Sequence, residues 1–207
     1  MNNVTVIGTG NVGSAVAGML AKAGAGLQIL DRDKEKAAAL AGQVNGTAGT
    51  VGEALTGDVV VLAVPYPALA EIAGIYSGDL DGKTVVDVTN PVDFETFDDL
   101  VVPADSSAAA QLASLLPKAN VLKAFNTTFA GVVGAGSLGG NDAVVLVAGD
   151  DNGAKETLIR LVEAGGLKGV DAGSLKRARE LEALAFLQMT LAAKETISWN
   201  GGFALVK

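Results

Sequence analysis

The chain has 207 residues and a formal net charge of −8, with 49% hydrophobic residues against 4% aromatic, and it contains neither cysteine nor histidine. That length holds one well-filled core, and the acidic balance excludes the electrostatic footprint of a nucleic-acid or anionic-membrane binder. Without Cys and His, disulfides, thiolate nucleophiles, the commonest metal ligand and the commonest general acid/base are absent together, which leaves carboxylates, Lys, Tyr or geometry alone to carry any chemistry; no metal is expected.

Val-rich runs of strand length recur along the chain at 4–8, 27–30, 58–64, 83–88, 120–125 and 143–149, and they hardly alternate with polar residues. Strands covered on both faces read this way. Helical stretches fall between them at 11–24, 33–41, 67–77, 106–116 and 152–164, with Pro67 in a first turn, Asp105 or Ser106 as a cap and Pro117 past a helix end. Strand and helix in alternation predict an α/β fold with a doubly wound, mostly parallel sheet. A last helix is expected from Ser174, as its cap, to about Ser198; its middle, "LEALAFLQMTLAA", is apolar nearly all round and needs burial on several sides. With the tail "WNGGFALVK" it predicts a homodimer. Residues 1–150 read as a dinucleotide-binding domain, and 151–207 as a small C-terminal helical extension packed on it. No basic leader precedes the first strand and no apolar run approaches the ~20 residues of a spanning helix, so the expected location is the cytoplasm, with no membrane partner.

The glycine spacing G-x-G-x-x-G occurs twice, at Gly8, Gly10 and Gly13 and again at Gly134, Gly136 and Gly139. The first follows a strand and opens a helix, so helix N–H groups can face a pyrophosphate with no side chain between, as in a Rossmann unit. The second runs into a strand and reads as a loop. Asp31 ends the second strand eighteen residues after Gly13, where a carboxylate suits the adenosine ribose of NAD, yet Arg32 and Lys36 beside it suit the 2′-phosphate of NADP. NADP is favoured because two cations outweigh one carboxylate, with NAD as the alternative.

The segments "LAVPYPAL", "VVDVTNPVDF", "VLKAFNTTFAG" and "DAGSLKRARELEAL", in this order after "GTGNVG", closely resemble small bacterial dinucleotide-binding oxidoreductases. These are related to the NADP-dependent reductases of the deazaflavin coenzyme F420 and to the nucleotide-binding domain of the STEAP metalloreductases. The resemblance implies NADPH lying along the strand ends, with Thr9, Asn11 and Val12 at the pyrophosphate and Arg32 at the 2′-phosphate. It puts Ala63, Val64, Pro65, Tyr66, Asn90 and Pro91 around the nicotinamide ribose, and Ala124, Phe125, Asn126 and Thr127 at the nicotinamide and a small-molecule electron acceptor, F420 or a flavin. The F420 reductases carry a small hydroxyl residue where this chain has Asp31.

Hydride transfer to a flavin-like ring needs no acid/base side chain, so no catalytic residue is assigned. A hydroxy-acid dehydrogenase or an imine reductase would instead need a proton donor, for which Lys123 or Tyr66 is available. Lys123 reads either as a strand-end lysine reaching solvent or as a pocket residue. A redox sensor that binds NADP without turnover is the non-enzymatic alternative.

Overall fold

Strand β1 (Asn3–Ile7) turns Val4 and Val6 to one helical layer and Ile7 to the other, and this alternation between two apolar layers recurs across a single sheet. The computed structural model describes residues 2–206. After β1 come α1 (Asn11–Lys22), β2 (Gly26–Asp31), α2 (Lys34–Val44), β3 (Thr47–Thr50), β4 (Val59–Leu62), α3 (Leu69–Ile75) and β5 (Thr84–Asp87). The second half adds α4 (Ala108–Leu115), β6 (Asn120–Lys123), α5 (Ala130–Ala135), a short hairpin of β7 (Ser137–Leu138) and β8 (Asn141–Asp142), then β9 (Val144–Gly149), α6 (Asn152–Ala164), β10 (Lys168–Gly173) and α7 (Ala178–Ala193).

The main sheet has eight strands in the order β10-β9-β6-β5-β4-β1-β2-β3, parallel throughout except where β9 runs antiparallel to β6. Val16 and Leu20 of α1, Leu40 of α2, Val132 of α5 and Leu158 of α6 pack on one face; Leu69 and Ile72 of α3, Leu112 of α4 and Ala178 of α7 pack on the other. The expected doubly wound α/β fold is present. Residues after 150 add more than a helix, because β10 extends the same sheet at its edge.

Several local expectations change. Strands β3 ("TAGT") and β10 ("KGVDAG") are short or glycine-containing edge strands without the apolar run that marks an inner strand. The second glycine motif is not a simple loop: Gly134 lies inside α5, Gly136 ends it at φ +74°, and Gly139 at φ +56° turns the hairpin. Helix α4 is capped by Ser107, whose Oγ accepts from the Ala110 N–H at 3.0 Å, rather than by Asp105 or Ser106. A 3-10 turn (Leu175–Arg177) precedes α7, the Ser174 side chain makes no capping hydrogen bond, and α7 stops at Ala193. The tail folds back so that Trp199 packs on Phe129, ring centres 5.2 Å apart. Among the described residues no helix is long and apolar enough to cross a membrane.

Candidate active site

The turn after β1 is shaped by where a Cβ could and could not go. At Gly8, with φ +106°, a Cβ would overlap the carbonyl of Ala63 at the end of β4; at Gly13 it would overlap the carbonyl of Gly8 itself. Those two glycines let strand, turn and helix close up. At Gly10 a Cβ would meet nothing within 4 Å, so the approach to the start of α1 stays open. Gly10 is also the N-cap and brings no side chain to the first-turn N–H groups, whereas Asp33, Ser107 and Asp151 cap α2, α4 and α6 with their side chains. Free donors at the positive end of a helix with an open approach fit a pyrophosphate.

A cleft of about 260 Å³ runs from this turn over the ends of β2 and β4, lined by Thr9, Asp31, Arg32, Val51, Val64 and Pro65. Asp31 is committed inside it. Its Oδ2 accepts from the backbone N–H and hydroxyl of Thr9 at 2.9 and 2.7 Å, and its Oδ1 accepts from the Asp33 N–H at 2.9 Å. Burial alone would raise its pKa, but the hydrogen bonds from Asp33 and Thr9, with the charge of Lys36 nearby, hold it below the usual aspartate value. Arg32 is paired with Glu71 of α3, and Lys36 lies 3.7 Å from Asp33. The sequence comparison of two cations with one carboxylate therefore omitted Glu71, thirty-nine residues from Arg32 and brought beside it only by the packing of α3.

The other end of the strand row is closed. Lys123, the last residue of β6, is fully buried, which corrects the reading of a lysine reaching solvent. Its Nζ donates to Asp87 Oδ2 at 2.9 Å and to the Thr89 carbonyl at 2.6 Å, and forms an ion pair with Glu182 Oε1 of α7 at 2.8 Å. The Thr89 N–H donates in turn to Asp87 Oδ1 at 2.8 Å. Beside this cluster Asn90 and Asn126 pair reciprocally: Asn90 Nδ2 donates to the Asn126 carbonyl and Asn126 Nδ2 to Asn90 Oδ1, both at 3.1 Å. Asn126 Nδ2 also reaches the Leu181 carbonyl of α7 at 3.0 Å.

Phe125 between them is 1% exposed and held at φ +64°, a conformation rare for a residue with a Cβ. Two buried oxygens here, Thr89 Oγ1 and Asn126 Oδ1, have no hydrogen-bond partner. Since both Asn126 amide protons are used, its spare capacity is as an acceptor.

The expected residues thus fall into three groups. Gly8, Thr9, Gly10, Asp31, Arg32, Ala63, Val64 and Pro65 meet in the cleft, with Asn11, Val12 and Gly13 in the adjoining first turn of α1 and Lys36 on the rim in α2. Tyr66 starts a 3-10 turn and donates to Gln111 Oε1 at 2.7 Å. Ala124, Phe125 and Asn126 are buried with Pro91, Asn90 is half-buried, and Thr127 is half-buried against the C-terminal tail. Sequence reasoning missed Asp87 and Glu182. Asp87 sits at the end of the Val-rich run 83–88, and an acidic residue closing such a run beside a second strand ending in lysine was the available signal.

The family model described as NADP oxidoreductase, coenzyme F420-dependent, matches residues 3–91. An F420-dependent NADP reductase from Methanothermobacter marburgensis is 31% identical over 214 residues, covering 96% of this chain and 95% of that protein. The metalloreductase STEAP3 of Rattus norvegicus is 33% identical over 184 residues, but the match covers 87% of this chain and 36% of that longer protein. Among solved structures, a proposed F420-dependent NADP reductase from Arthrobacter sp. FB24 superposes over 100% of both chains with a TM-score of 0.87 at 26% identity. An open, uncapped glycine turn on this sheet, together with near-complete alignment to an F420-dependent NADP reductase, places the chain in the coenzyme F420-dependent NADP oxidoreductase family.

Proposed function

We propose that the chain is an NADP-dependent oxidoreductase that passes hydride between NADPH and a flavin-like or deazaflavin ring such as F420. NADPH supplies a hydride at its nicotinamide ring. The first turn of α1 holds the pyrophosphate through backbone N–H groups, Gly10 leaves room for it, and Arg32 with Lys36 faces the 2′-phosphate. Thr9 is fixed by Asp31, so the turn is shaped before the cofactor arrives. The Thr89–Pro91 and Ala124–Asn126 loops border the nicotinamide and hold the two rings in register.

The observation that carries this reading is the enclosure of Lys123. Its ammonium is surrounded by Asp87 Oδ2, the Thr89 carbonyl and Glu182 Oε1, all within 2.9 Å and out of contact with solvent. Tyr66 is likewise engaged with Gln111. With its candidate proton donors occupied, the site suits transfer to a ring whose accompanying proton comes from water, and carbonyl or imine reduction is the weaker reading. The relatives named F420-dependent NADP reductase support F420 as the first acceptor to try.

The test is NADPH oxidation with F420, FMN, FAD, riboflavin and quinones in turn, alongside calorimetry of NADPH and NADH. Turnover with one ring acceptor and tighter binding of NADPH are expected. Binding without turnover on any of them would favour the redox-sensor reading.

The assembly belongs to the same proposal. Leu187 of α7 and Trp199, Phe203, Leu205 and Val206 of the tail are all about half exposed or more, an apolar surface suited to a second copy. Light scattering at micromolar concentration should return twice the chain mass.

A further inference from the structure

We propose that Glu182, on the C-terminal helix, is a positioning residue for the nicotinamide half of the cofactor, acting through Lys123 on the Thr89–Pro91 loop; this rests on the NADP reading above. Two consecutive residues of α7 reach that region. The Leu181 carbonyl accepts from Asn126 at 3.0 Å, and the Glu182 carboxylate pairs with the Lys123 ammonium at 2.8 Å. Lys123 grips the Thr89 carbonyl while Asp87 accepts the Thr89 N–H, so the turn that delivers Asn90 and Pro91 is held from both sides of one residue. A helix that contributes nothing to the glycine turn thereby fixes both loops farther along the row of strand ends.

Glu182 carries a second duty that explains why a carboxylate stands there. Its Oε2 accepts from the Ala108 N–H at 3.0 Å and its Oε1 from the Ala109 N–H at 3.4 Å, at the start of α4. Ammonium and helix N–H groups are donors only, and they converge on one side chain from opposite directions. A carboxylate meets both with its two oxygens. An amide has one acceptor oxygen, so glutamine must turn its NH₂ toward one of these donors, and either Lys123 loses one of its three oxygen neighbours or an α4 N–H loses its acceptor.

The arrangement is poorly explained as a device for stability. One cation and two carboxylates, each at most 1% exposed, lose their hydration, and such clusters are often no more stabilising than apolar residues of equal volume. Burial raises the Glu182 carboxyl above its usual pKa even though Lys123 and the Ala108 N–H pull the other way. What the cluster does supply is fixed geometry, since Lys123 is held by two hydrogen bonds and two carboxylates.

The test uses Glu182→Gln in the full chain and two ligands, NADPH and 2′-phospho-ADP-ribose, which shares the adenosine, 2′-phosphate and pyrophosphate but lacks the nicotinamide. In the parent protein NADPH should bind the tighter of the two. In Glu182→Gln 2′-phospho-ADP-ribose should change less than about twofold, and NADPH should weaken by about tenfold. A role confined to stability predicts a lower unfolding temperature with both ligands weakened alike. The triple variant Asp87→Asn, Lys123→Met, Glu182→Gln removes all three charges together and should show the same selective loss. An unchanged ratio of the two affinities in either folded variant overturns the proposal, as does failure of both variants to fold. A parent protein that binds neither ligand overturns the NADP reading itself, and this inference with it.

Discussion

The turn after β1 and the Lys123 cluster stand at the same edge of the sheet, at the carboxyl ends of parallel strands, and they treat hydrogen bonding in opposite ways. At the glycine turn, first-turn N–H groups of α1 are left without a capping side chain, and the charged residues around them, Arg32 and Lys36, are exposed. At the cluster, Lys123, Asp87 and Glu182 are out of solvent and the ammonium is enclosed by three oxygens. Spare donors in an open turn can be filled by a ligand and emptied again. A filled network cannot serve as a binding site, but it can hold the loops beside one with little freedom. On the proposed reading, the contrast separates the end of the strand row that would grip the dinucleotide from the end that would align it.

The largest break in this contrast should come from Lys123→Ala. It would leave two buried carboxylates facing each other without a cation, and breaking a buried pair in this way costs about 3–5 kcal/mol. Urea unfolding of the variant should show that loss; stability within about 1 kcal/mol of the parent would mean that water enters the cluster freely. Loss of turnover in Lys123→Ala is therefore no sign of proton transfer, and the conservative changes at Glu182 are the better probes of chemistry.

A smaller effect, and a sharper one, separates two glycines of the same turn. Gly13→Ala pushes a methyl group into the Gly8 carbonyl, and overpacking of this kind costs about 1–3 kcal/mol. Gly10→Ala adds the same methyl group to open space, so folding should change by no more than about 0.5 kcal/mol. Its NADPH affinity should nevertheless drop by about tenfold, because the methyl group takes the place of the pyrophosphate. Thermal melts and titration calorimetry on the pair decide it. Equal losses of affinity and stability in both variants would remove the distinction.

Most of the gripping end was readable from the sequence, because it is built from local signals: a strand, a glycine turn and a helix start within residues 4–20, and a second strand ending at Asp31. The aligning end was not. Lys123 closes an apolar strand, and nothing nearby in the sequence says whether its ammonium turns inward or outward. The answer lies in Asp87 and Glu182, which are thirty-six and fifty-nine residues away and meet it only because β5 pairs with β6 and α7 packs into the apolar layer on one face of the sheet. Glu182 was hidden by its setting too, since "LEALAFLQMTLAA" reads as an apolar helix with one stray acid. The edge strands β3 and β10 escaped for a different reason: edge position removes the double-sided burial that makes a Val-rich run recognisable.

Acid should act on the two ends with opposite signs. Asp31 has its pKa depressed below the ordinary 3.8, so its ionised form adds stability above that value and the contribution disappears as pH falls through the folded pKa. Glu182 has its pKa raised above the ordinary 4.5, so its ionisation burdens the fold as pH rises through the raised value and does so no longer below 4.5. The stability deficit of Asp31→Asn relative to the parent should therefore shrink as pH is lowered below 3.8. Any advantage of Glu182→Gln should shrink earlier, on approach to 4.5 from neutral pH. Chemical unfolding of both variants across this range checks the two signs independently.

The smallest effect is expected at Glu71, and it bears on which dinucleotide the gripping end prefers. Arg32 is paired with Glu71 at a site where both side chains are more than half exposed. A 2′-phosphate must draw the guanidinium away from that carboxylate before using it, whereas NADH, lacking the phosphate, leaves the pair undisturbed. Exposed pairs contribute about 0–1 kcal/mol, so the competition is worth up to about fivefold in affinity. Asp31 does not alter this balance by swinging away, because it is tied to Thr9 and Asp33 by three hydrogen bonds. Glu71→Gln should therefore tighten NADPH by about two- to fivefold, leave NADH within experimental error, and reduce the loss of NADPH affinity between low and high salt less than Arg32→Ala does. Calorimetry at two ionic strengths measures all three. If Glu71→Gln tightens both dinucleotides equally, its carboxylate acts as a general negative charge on the cleft and not as a competitor for Arg32.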